Sequence, residues 1–345
     1  MTPAADMAHD PRPGLARWLI AALGARAVQV TRFEKLGGGA IQENWALDAS
    51  VTGGPHAGRQ ALVLRTDAAS RVAASHSRAH EYAILGAAWR KGVTVPEPLG
   101  LDVEGAVLGK PFYVMRRLAG TAAGHLLVRE DRWRGDRVAL ADRLGRELAR
   151  IHAIHPAPEA EALSFLSVPT LPPGRALVEA MRDWLDGNQT SRPALEWGLR
   201  WLERHAPPAP AQLTLVHRDF RTGNYLVDDT GLTGILDWEF AGWGDPDEDI
   251  GWFCAKCWRF GAEAREAGGI GARADFYRGY EAESGRSIAP GAVAYWERMA
   301  HARWAVVALQ QGARHVSGEE PSLNLALTGR RIAELEYELL TGTEP

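Results

Sequence analysis

Residues 213–252 read LTLVHRDFRTGNYLVDDTGLTGILDWEFAGWGDPDEDIGW, and this stretch decides how the rest of the chain is interpreted. A short apolar run leads into Asp219, and Asn224 follows five residues after that aspartate. A second apolar run, 232–236, ends on Asp237. Three oxygen-bearing side chains therefore follow the ends of predicted short strands. Carboxylate and amide oxygens in such a set can bind a divalent cation, and the cation can in turn hold a phosphate group.

Phosphoryl transfer needs a carboxylate that orients or deprotonates the acceptor hydroxyl, and Asp219 is the candidate for this base. Asn224 and Asp237 offer a neutral and an anionic oxygen, which are ligands that Mg²⁺ accepts. Arg221 can face the same side of an extended loop as Asp219, where its guanidinium would offset charge on the transferring phosphate. The alternative is that these are ordinary turn residues, because Asp and Asn favour turns. That alternative does not explain why His217 precedes the three residues or why they have this spacing.

The composition is that of a soluble globular protein. A chain of 345 residues is expected to form one large or two modest domains. A net charge of −4 argues against nucleic acid as the main partner. The lysines are Lys35, Lys91, Lys110 and Lys256, and every other basic side chain apart from histidine is arginine. An anion in the site is therefore expected to meet guanidinium groups.

The cysteines and the N-terminus bear on the cellular compartment. Cys254 and Cys257 form a single C-x-x-C, so a four-cysteine zinc site within one chain is excluded. We interpret them as buried helix residues in a protein of a reducing compartment. Residues 1–13 are expected to be disordered and lack the features of a secretory signal. Since no apolar run is long enough to span a bilayer, we expect a cytoplasmic protein without a membrane partner.

The periodicity of apolar residues divides the chain at about residue 118. Residues 14–118 are predicted to form a β-rich lobe, and residues 119–345 a larger helical lobe. The predicted strands are 28–33, 44–49, 61–65, 99–103 and 112–118, with helices at 15–23 and 71–89. The predicted helices after residue 119 are 133–152, 175–186, 193–205, 247–260, 269–283, 290–311 and 321–340. The fold class is therefore α+β, with a small antiparallel β-rich N-terminal lobe and a mainly helical C-terminal lobe.

The motifs resemble those of the aminoglycoside phosphotransferase and choline kinase-like family, whose members are relatives of the protein kinases. The resemblance implies a bilobal kinase-like fold, ATP or GTP as donor, Mg²⁺ and a small-molecule acceptor. It assigns Asp219 as the base and Asn224 and Asp237 as metal ligands. The residues that carry it are His217-Arg218-Asp219 with Asn224, then Asp237-Trp238-Glu239, then Gly244-Asp245-Pro246 with Asp249.

The same resemblance extends to the predicted β-rich lobe. Residues 36–44, LGGGAIQEN, are similar to the phosphate-covering loop of the family and contribute Gly37, Gly38 and Gly39. Glu81 matches the acid that pairs with the cation of the third strand. Residues 112–118 resemble the hinge that carries the adenine, with backbone contacts expected from Met115 to Arg117.

One position departs from the family pattern. Arg65 stands where the usual lysine ends the third strand, although a guanidinium can also hold phosphates and pair with Glu81. One explanation is the branch of phosphotransferase-like domains associated with acyl-CoA dehydrogenases, which this chain resembles in its V-L-R, D-F-R and D-W-E motifs. The other is a degenerate kinase that binds nucleotide poorly. Because Asp219, Asn224 and Asp237 are intact, we favour an active enzyme.

The acceptor is expected to meet the helical lobe. Segments 252–259 and 295–304 mix aromatic residues with four cations, which suits an acceptor with an apolar body and an anionic end. We predict a hydroxy-acid or hydroxyacyl metabolite. An aminoglycoside, amino-sugar or choline-like acceptor is an alternative, and a nucleotide-binding pseudokinase is an alternative of another class. The sequence does not distinguish ATP from GTP and does not determine the oligomeric state.

Overall fold

The computed structural model describes residues 10–37, 42–68, 75–129, 133–188 and 191–342. The chain divides into two compact units. The first comprises the residues up to Ala119 together with Thr233–Phe240, and the second comprises Gly120–Leu232 and the residues from Ala241 onward. Within the described ranges, no helix is both long and apolar enough to cross a membrane.

An antiparallel sheet forms the body of the first unit. Its strands are β1 (Ala27–Lys35), β2 (Gln42–Thr52), β3 (Gly58–Asp67), β4 (Pro98–Asp102) and β5 (Phe112–Arg116). They lie in the order β1-β2-β3-β5-β4, and each strand runs antiparallel to its neighbours. All five predicted strands overlap these, so the prediction of an antiparallel β-rich lobe is confirmed.

One face of this sheet packs against the first helix, α1 (Arg12–Ala22). Leu15 and Leu19 of α1 are fully buried in one cluster with Leu47 and Leu62 of the sheet. This apolar contact explains why a helix of only eleven residues is stable here, since tertiary packing supplies most helical stability. The helix begins at Arg12, so Arg12 and the proline after it are helical although we expected them in the disordered N-terminus.

The opposite face of the sheet carries Arg65. In the strand register Arg65 lies between Asn44 of β2 and Tyr113 of β5. Because directly paired residues of neighbouring strands point to the same face, these three side chains share one surface of the sheet. Arg65 and Tyr113 are buried there. The sheet therefore presents a cation on the face away from α1.

The second helix of the first unit, α2 (Arg78–Arg90), carries Glu81. Ser77 precedes it in an extended conformation, and its side chain accepts a hydrogen bond from the His80 N–H at 3.2 Å. We predicted a start at residue 71, but residues 75–77 are not helical and residues 71–74 lie outside the described ranges. The N-cap serine marks the start in the structure.

Replacing Ser77 with alanine is expected to lower the free energy of unfolding by about 0.5–2 kcal/mol, the usual cost of losing an N-cap side chain. Thermal unfolding followed by circular dichroism measures the effect. Ser322→Ala is the matched control, because Ser322 holds the same position before a helix but makes no side-chain capping bond. Equal losses in both variants would show that the Ser77 hydrogen bond contributes nothing.

The segment Thr233–Phe240 belongs to the first unit although it lies far along the chain. The Ile235 N–H donates to the Thr94 carbonyl at 2.8 Å, and the Glu239 carbonyl accepts from the His76 N–H at 2.9 Å. We had placed the whole of 119–345 in the helical lobe, and this segment departs from that division. Asp237 therefore lies in the same unit as Arg65.

The second unit is mainly helical, as predicted. Its helices are α3 (Gly124–Val128), α4 (Arg137–His152), α5 (Pro173–Gly187), α6 (Pro193–Arg204), α7 (Pro246–Cys254), α8 (Arg273–Ser284), α9 (Pro290–Val316), α10 (Leu323–Arg330) and α11 (Ile332–Thr341). The short strands β6 (Thr214–Val216), β7 (Tyr225–Asp228) and β9 (Gly242–Gly244) also lie in it, whereas β8 (Gly231–Ile235) spans its boundary with the first unit. β6 pairs with β9, and β7 pairs with β8.

Several helix ends differ from the predicted bounds for local reasons. Helix α4 begins at Arg137 rather than 133, because the Asp136 side chain caps it by accepting from the Ala139 N–H at 3.0 Å. The helix predicted at 247–260 ends at Cys254, since Ala255 adopts φ −58° and ψ 140°. The helix predicted at 321–340 is divided at Arg331 into α10 and α11.

Helices α4 and α8 approach each other closely through two glycines. A Cβ at Gly145 would lie 2.1 Å from the Phe276 carbonyl oxygen, and one at Gly279 would lie 1.9 Å from the Asp142 carbonyl oxygen. Any larger residue would therefore force the helices apart. This contact brings His152 of α4 next to Tyr280 of α8, where their side chains hydrogen bond at 2.9 Å.

Candidate active site

The loop that carries the predicted base follows β6 and is held by helix α7. The Asp249 carboxylate of α7 accepts the backbone N–H of His217 at 2.6 Å and that of Arg218 at 2.7 Å. Arg218 has φ +62°, a left-handed conformation that non-glycine residues rarely adopt. Such a backbone persists where surrounding contacts hold it. Asp249 therefore anchors the loop in a conformation that the chain alone would not favour.

Asp249 is itself held by a buried hydrogen-bond network. His152 donates from Nε2 to Asp249 at 3.2 Å and accepts the Tyr280 hydroxyl at Nδ1. Burial lowers the pKa of His152, which favours the neutral ring that this pattern requires. Burial alone would raise the pKa of Asp249, but the hydrogen bonds from His152 and from the His217 N–H outweigh it and lower that pKa. The anchor is therefore an ionised carboxylate.

Asp219 is oriented by three donors. Its Oδ1 atom accepts from Arg221 Nε at 3.0 Å and from the Trp252 indole N–H at 3.1 Å. Its Oδ2 atom accepts from the Asn224 side-chain amide at 2.5 Å. A carboxylate has about four lone-pair positions, so about one of them, on Oδ2, stays open. The carboxylate is thus fixed in orientation and still able to accept a hydrogen bond.

Arg221 lies beside Asp219, as predicted from the two-residue spacing. Its guanidinium also stacks on the Trp258 ring, with 4.7 Å from Cζ to the ring centroid. About a quarter of the Arg221 side chain is exposed, at 25%. A guanidinium fixed on one edge by a carboxylate and on one face by an aromatic ring keeps other N–H groups for an anion.

Asn224 contacts the same loop from the other side. Its amide nitrogen donates to the backbone carbonyl of Asp219 at 2.9 Å as well as to Oδ2. With both bonds made by the nitrogen, the amide oxygen points away from Asp219 and accepts no hydrogen bond from the described residues. An unused amide oxygen is a suitable ligand for a hard cation.

The first unit brings Arg65 and Glu81 together as predicted. Arg65 Nε lies 2.9 Å from a Glu81 carboxylate oxygen. Glu81 also pairs with Arg78, which in turn lies 2.9 Å from Asp67. Burial alone would lower the pKa of Arg65, but the negative charge of Glu81 beside it keeps that pKa well above its ordinary value. Arg65 is therefore a permanent cation in a buried ion-pair cluster.

Asp237 joins this cluster through Arg65. Arg65 Nη2 donates to Asp237 Oδ1 at 2.8 Å, so one guanidinium contacts two carboxylates. Asp237 has φ +67°, the second left-handed non-glycine residue in the motifs singled out from the sequence. Its side chain is 32% exposed, and its other oxygen accepts no hydrogen bond from the described residues.

The predicted metal ligands fit magnesium by their chemistry. Asn224 and Asp237 each keep one side-chain oxygen outside the hydrogen bonds above, and they lie in different units. Among the described residues, no three His, Cys, Asp or Glu side chains form a group that could hold a metal by themselves. Mg²⁺ does not need such a cage, because it keeps several waters and binds through one or two protein oxygens and substrate phosphates.

The structure covers the predicted glycine loop in part. Gly37 is described and exposed, whereas Gly38 and Gly39 lie outside the described residues. A Cβ at Gly37 would meet no atom within 4 Å. The role of this loop in covering phosphates therefore stays a prediction.

The predicted hinge is the end of β5. Met115 pairs with Val63 of β3, and the Arg117 N–H donates to the Ala61 carbonyl at 2.9 Å. This N–H is therefore used within the sheet. The N–H of the next residue, Leu118, makes no hydrogen bond to the described residues, and the contact of this segment with an adenine stays a prediction.

The contacts of four residues in these clusters were not predicted from the sequence. Asn44 lies beside Arg65 in the register, and its buried side-chain oxygen has no hydrogen-bond partner among the described residues. Arg78 is fully buried against Glu81. Asp249 belongs to the Gly-Asp-Pro motif and was noted for resemblance alone, whereas Trp252 was assigned to the acceptor wall. A polar residue three positions from Glu81 on one helix was the available signal for Arg78.

The predicted acceptor wall is largely occupied by structural contacts. Arg303 differs from the other predicted cations in its location. Its guanidinium lies 4.7 Å from the Trp252 ring centroid and 3.5 Å from Glu248. The other predicted cations bind elsewhere, with Lys256 on Glu338 at 2.7 Å, Arg259 on the Cys254 carbonyl at 2.8 Å and Arg298 on the Gly342 carbonyl at 2.6 Å. Arg303 is thus the predicted cation that reaches the neighbourhood of Asp219.

Cys254 and Cys257 are buried free thiols, as we interpreted them. Cys254 ends α7, and Cys257 lies in the short 3₁₀ helix that follows it, Lys256–Trp258. Burial raises the pKa of Cys254 to about 12 and also raises that of Cys257. Because the thiolate is the reactive form, these residues are packing groups in the second unit.

Comparison with known proteins identifies related chains. The model of the phosphotransferase enzyme family matches residues 32–285. Acyl-CoA dehydrogenase family member 10 from Mus musculus is 27% identical over 208 residues, which cover 57% of this chain and 18% of that protein. Acyl-CoA dehydrogenase family member 11 from Gallus gallus is 28% identical over 203 residues, which cover 56% of this chain and 25% of that protein. The chain therefore spans a quarter or less of these curated relatives.

Solved structures share the fold at low sequence identity. A Ralstonia eutropha JMP134 protein, provisionally assigned as an aminoglycoside phosphotransferase, has a TM-score of 0.75 at 22% identity, covering 96% of this chain and 99% of that chain. A variant of aminoglycoside 2'-phosphotransferase-IIIa with GDP has a TM-score of 0.61 at 16% identity, with coverages of 96% and 99%. Spectinomycin phosphotransferase with ADP and spectinomycin has a TM-score of 0.58 at 12% identity, with coverages of 96% and 98%. The predicted protein-kinase-like α+β fold is confirmed.

Proposed function

This chain belongs to the phosphotransferase enzyme family, and on that premise we propose that it transfers the γ-phosphate of ATP or GTP to a hydroxyl group of a small molecule. The observation that carries the proposal is the geometry of Asp219. Three donors fix this carboxylate and leave about one acceptor position open on Oδ2. A hydroxyl that donates to Oδ2 would be aligned for attack on a phosphoryl group.

The proposed donor is a nucleoside triphosphate held by the first unit. Arg65 would bind its phosphates, because its guanidinium is buried, charged and supported by Glu81. Leu118 offers an N–H, and Asn44, which pairs with Arg65 between β2 and β3, offers a side-chain oxygen, neither of them bonded to a described residue. Nucleotides bound to structural relatives are in agreement, since one relative holds GDP and another holds ADP.

Asn224 and Asp237 are the proposed ligands of Mg²⁺. When held by these two oxygens, the ion would supply positive charge that offsets part of the negative charge of the phosphates. Asn224 would couple the metal to the base, because one amide donates to Asp219 and offers its oxygen on the other side. Arg221 would stabilise charge on the transferring phosphate from its position between Asp219 and the Trp258 ring.

We propose a hydroxy-acid or hydroxyacyl metabolite as the acceptor. Arg221 and Arg303 are cations near Asp219, and each lies on a tryptophan ring, of Trp258 and Trp252 respectively. Such surfaces suit an anionic end joined to an apolar body. Curated relatives named as acyl-CoA dehydrogenase family members also favour an acyl context.

Aminoglycoside, amino-sugar and choline-like acceptors are less well supported. A polycation requires free carboxylates, but Glu248 lies 3.5 Å from both Arg218 and Arg303, whose positive charges would repel a cationic acceptor. A pseudokinase would keep nucleotide binding without turnover. It does not explain why Asp219 is held by three donors with an open acceptor position.

The test is Mg²⁺-dependent release of ADP or GDP across a panel of hydroxylated metabolites. The panel contains hydroxy acids, hydroxyacyl thioesters, amino sugars, aminoglycosides and choline, each with ATP and with GTP. We expect turnover with a hydroxy-acid or hydroxyacyl member and none after chelation of Mg²⁺. Clear nucleotide binding in calorimetry without turnover on any member would instead favour the pseudokinase.

A further inference from the structure

Helix α7 places two side chains against the loop of the predicted base. Asp249 holds the backbone of His217 and Arg218, and Trp252 reaches the Asp219 carboxylate itself. The two residues are three positions apart on α7, so they lie on the same face of the helix. One rigid helix therefore contacts both the backbone of the loop and its reactive side chain.

The Trp252 indole is held firmly in this position. It is buried, with 4% exposure, and its N–H lies 3.1 Å from Asp219 Oδ1. The Arg303 guanidinium lies over its ring at 4.7 Å, and the Trp258 ring packs at 5.2 Å between centroids. A tryptophan packed by a cation and by another ring has little freedom to rotate. Its N–H therefore holds Asp219 Oδ1 in a fixed position.

The other donors to Asp219 do not make this N–H redundant. Arg221 and Asn224 belong to the same loop as Asp219 and can move with it, whereas Trp252 belongs to α7. Trp252 is thus the contact that ties the carboxylate to a part of the fold outside the loop. If the Asp219 side chain rotated about its torsions, Oδ2 would turn away from an incoming hydroxyl.

We propose that Trp252 is a positioning residue for phosphoryl transfer, whose indole N–H fixes Asp219 Oδ1 and thereby directs Oδ2 toward the acceptor hydroxyl. This inference rests on the proposed function for its kinetic consequence. The hydrogen bond itself does not depend on that function and can be tested separately. In this role Trp252 acts through Asp219 and not through a contact with the nucleotide.

The kinetic test uses Trp252→Phe, which keeps a large aromatic ring and removes the N–H. The matched control is Trp296→Phe, because Trp296 is buried in the same core and its indole nitrogen has no hydrogen-bond partner. With an acceptor found in the panel, we expect kcat of Trp252→Phe to fall about 10- to 100-fold, as for a lost hydrogen bond to a charged group. KM for the nucleotide should stay unchanged, because Trp252 acts on kcat through Asp219.

Indole resonances provide a readout that does not require turnover. In the 345-residue chain labelled with ¹⁵N-tryptophan, the Trp252 Nε1–H signal is assigned by its loss in Trp252→Phe. We expect Asp219→Ala to shift this signal upfield in the proton dimension, while the Trp296 signal stays in place. A Trp252 signal that ignores Asp219→Ala would overturn the hydrogen bond. Equal kcat in Trp252→Phe and wild type would overturn the positioning role, whereas a panel without turnover would count against the proposed function alone.

Discussion

Replacing Asp219 with alanine is expected to abolish turnover while leaving nucleotide affinity nearly unchanged. The proposed role of Asp219 is to accept a hydrogen bond from the acceptor hydroxyl, and a positioned base contributes roughly 10²–10⁴-fold to the rate. Its carboxylate contacts Arg221, Asn224 and Trp252 in the second unit. The phosphate contacts proposed for Arg65 lie in the first unit and do not pass through Asp219.

Two measurements separate these effects. Steady-state release of ADP or GDP reports kcat, and calorimetry with a non-hydrolysable triphosphate and Mg²⁺ reports affinity. Asp228→Ala is the control, because Asp228 lies in the same unit and its carboxylate accepts from Thr230 in an exposed turn. If the Asp219 variant lost affinity together with kcat, Asp219 would belong to the metal site or to the support of the fold.

The alanine variant of Arg65 is expected to lose about 1.5–3 kcal/mol of nucleotide binding energy, the range for a hydrogen bond to a charged group. Arg65 contacts Glu81 at 2.9 Å and Asp237 at 2.8 Å, so its loss removes the proposed phosphate clamp and releases the proposed metal ligand. The variant should still fold. Glu81 keeps Arg78 as a partner, and Asp237 is 32% exposed and can be solvated.

Arg65→Lys separates the contribution of the planar guanidinium group to nucleotide binding from that of its positive charge. A lysine ammonium is a compact point charge and cannot present a planar fork to two carboxylates, so we expect measurable nucleotide binding that is weaker than in the wild type. Arg59→Ala is the control, since Arg59 is exposed on the same strand. Calorimetry with Mg²⁺ and each nucleotide gives the affinities. Unchanged affinity in Arg65→Ala would refute the clamp.

Local patterns in the sequence account for much of the fold. The alternation of apolar residues predicted the strands of the sheet, and the predicted strand 61–65 lies inside Gly58–Asp67. Proline at the first turn marked helix starts at Pro193 and Pro290, as its fixed φ favours that position. Helix starts were wrong where a side-chain cap decided them, as at Ser77 and Asp136.

The candidate site shows the same difference between local contacts and contacts that depend on packing. Asp219 and Arg221 are two residues apart, so spacing along one loop was enough to predict that they lie together, whereas the contact of Asn224 with Asp219 was not predicted. The indole of Trp252 is 33 residues away from Asp219 in the chain. Its position depends on how α7 packs, which no local pattern reports.

The amino-acid sequence by itself determined which residue types follow one another on the loop that carries Asp219, and therefore the reaction class that they predict. The tertiary structure alone decided that Thr233–Phe240 joins the first unit and places Asp237 on Arg65. It alone also decided that Trp252 holds Asp219. The physical reason is the distance along the chain over which each kind of interaction acts. Hydrogen-bonding and steric preferences act over a few residues and are visible in a linear pattern, whereas these contacts depend on the packing of whole elements.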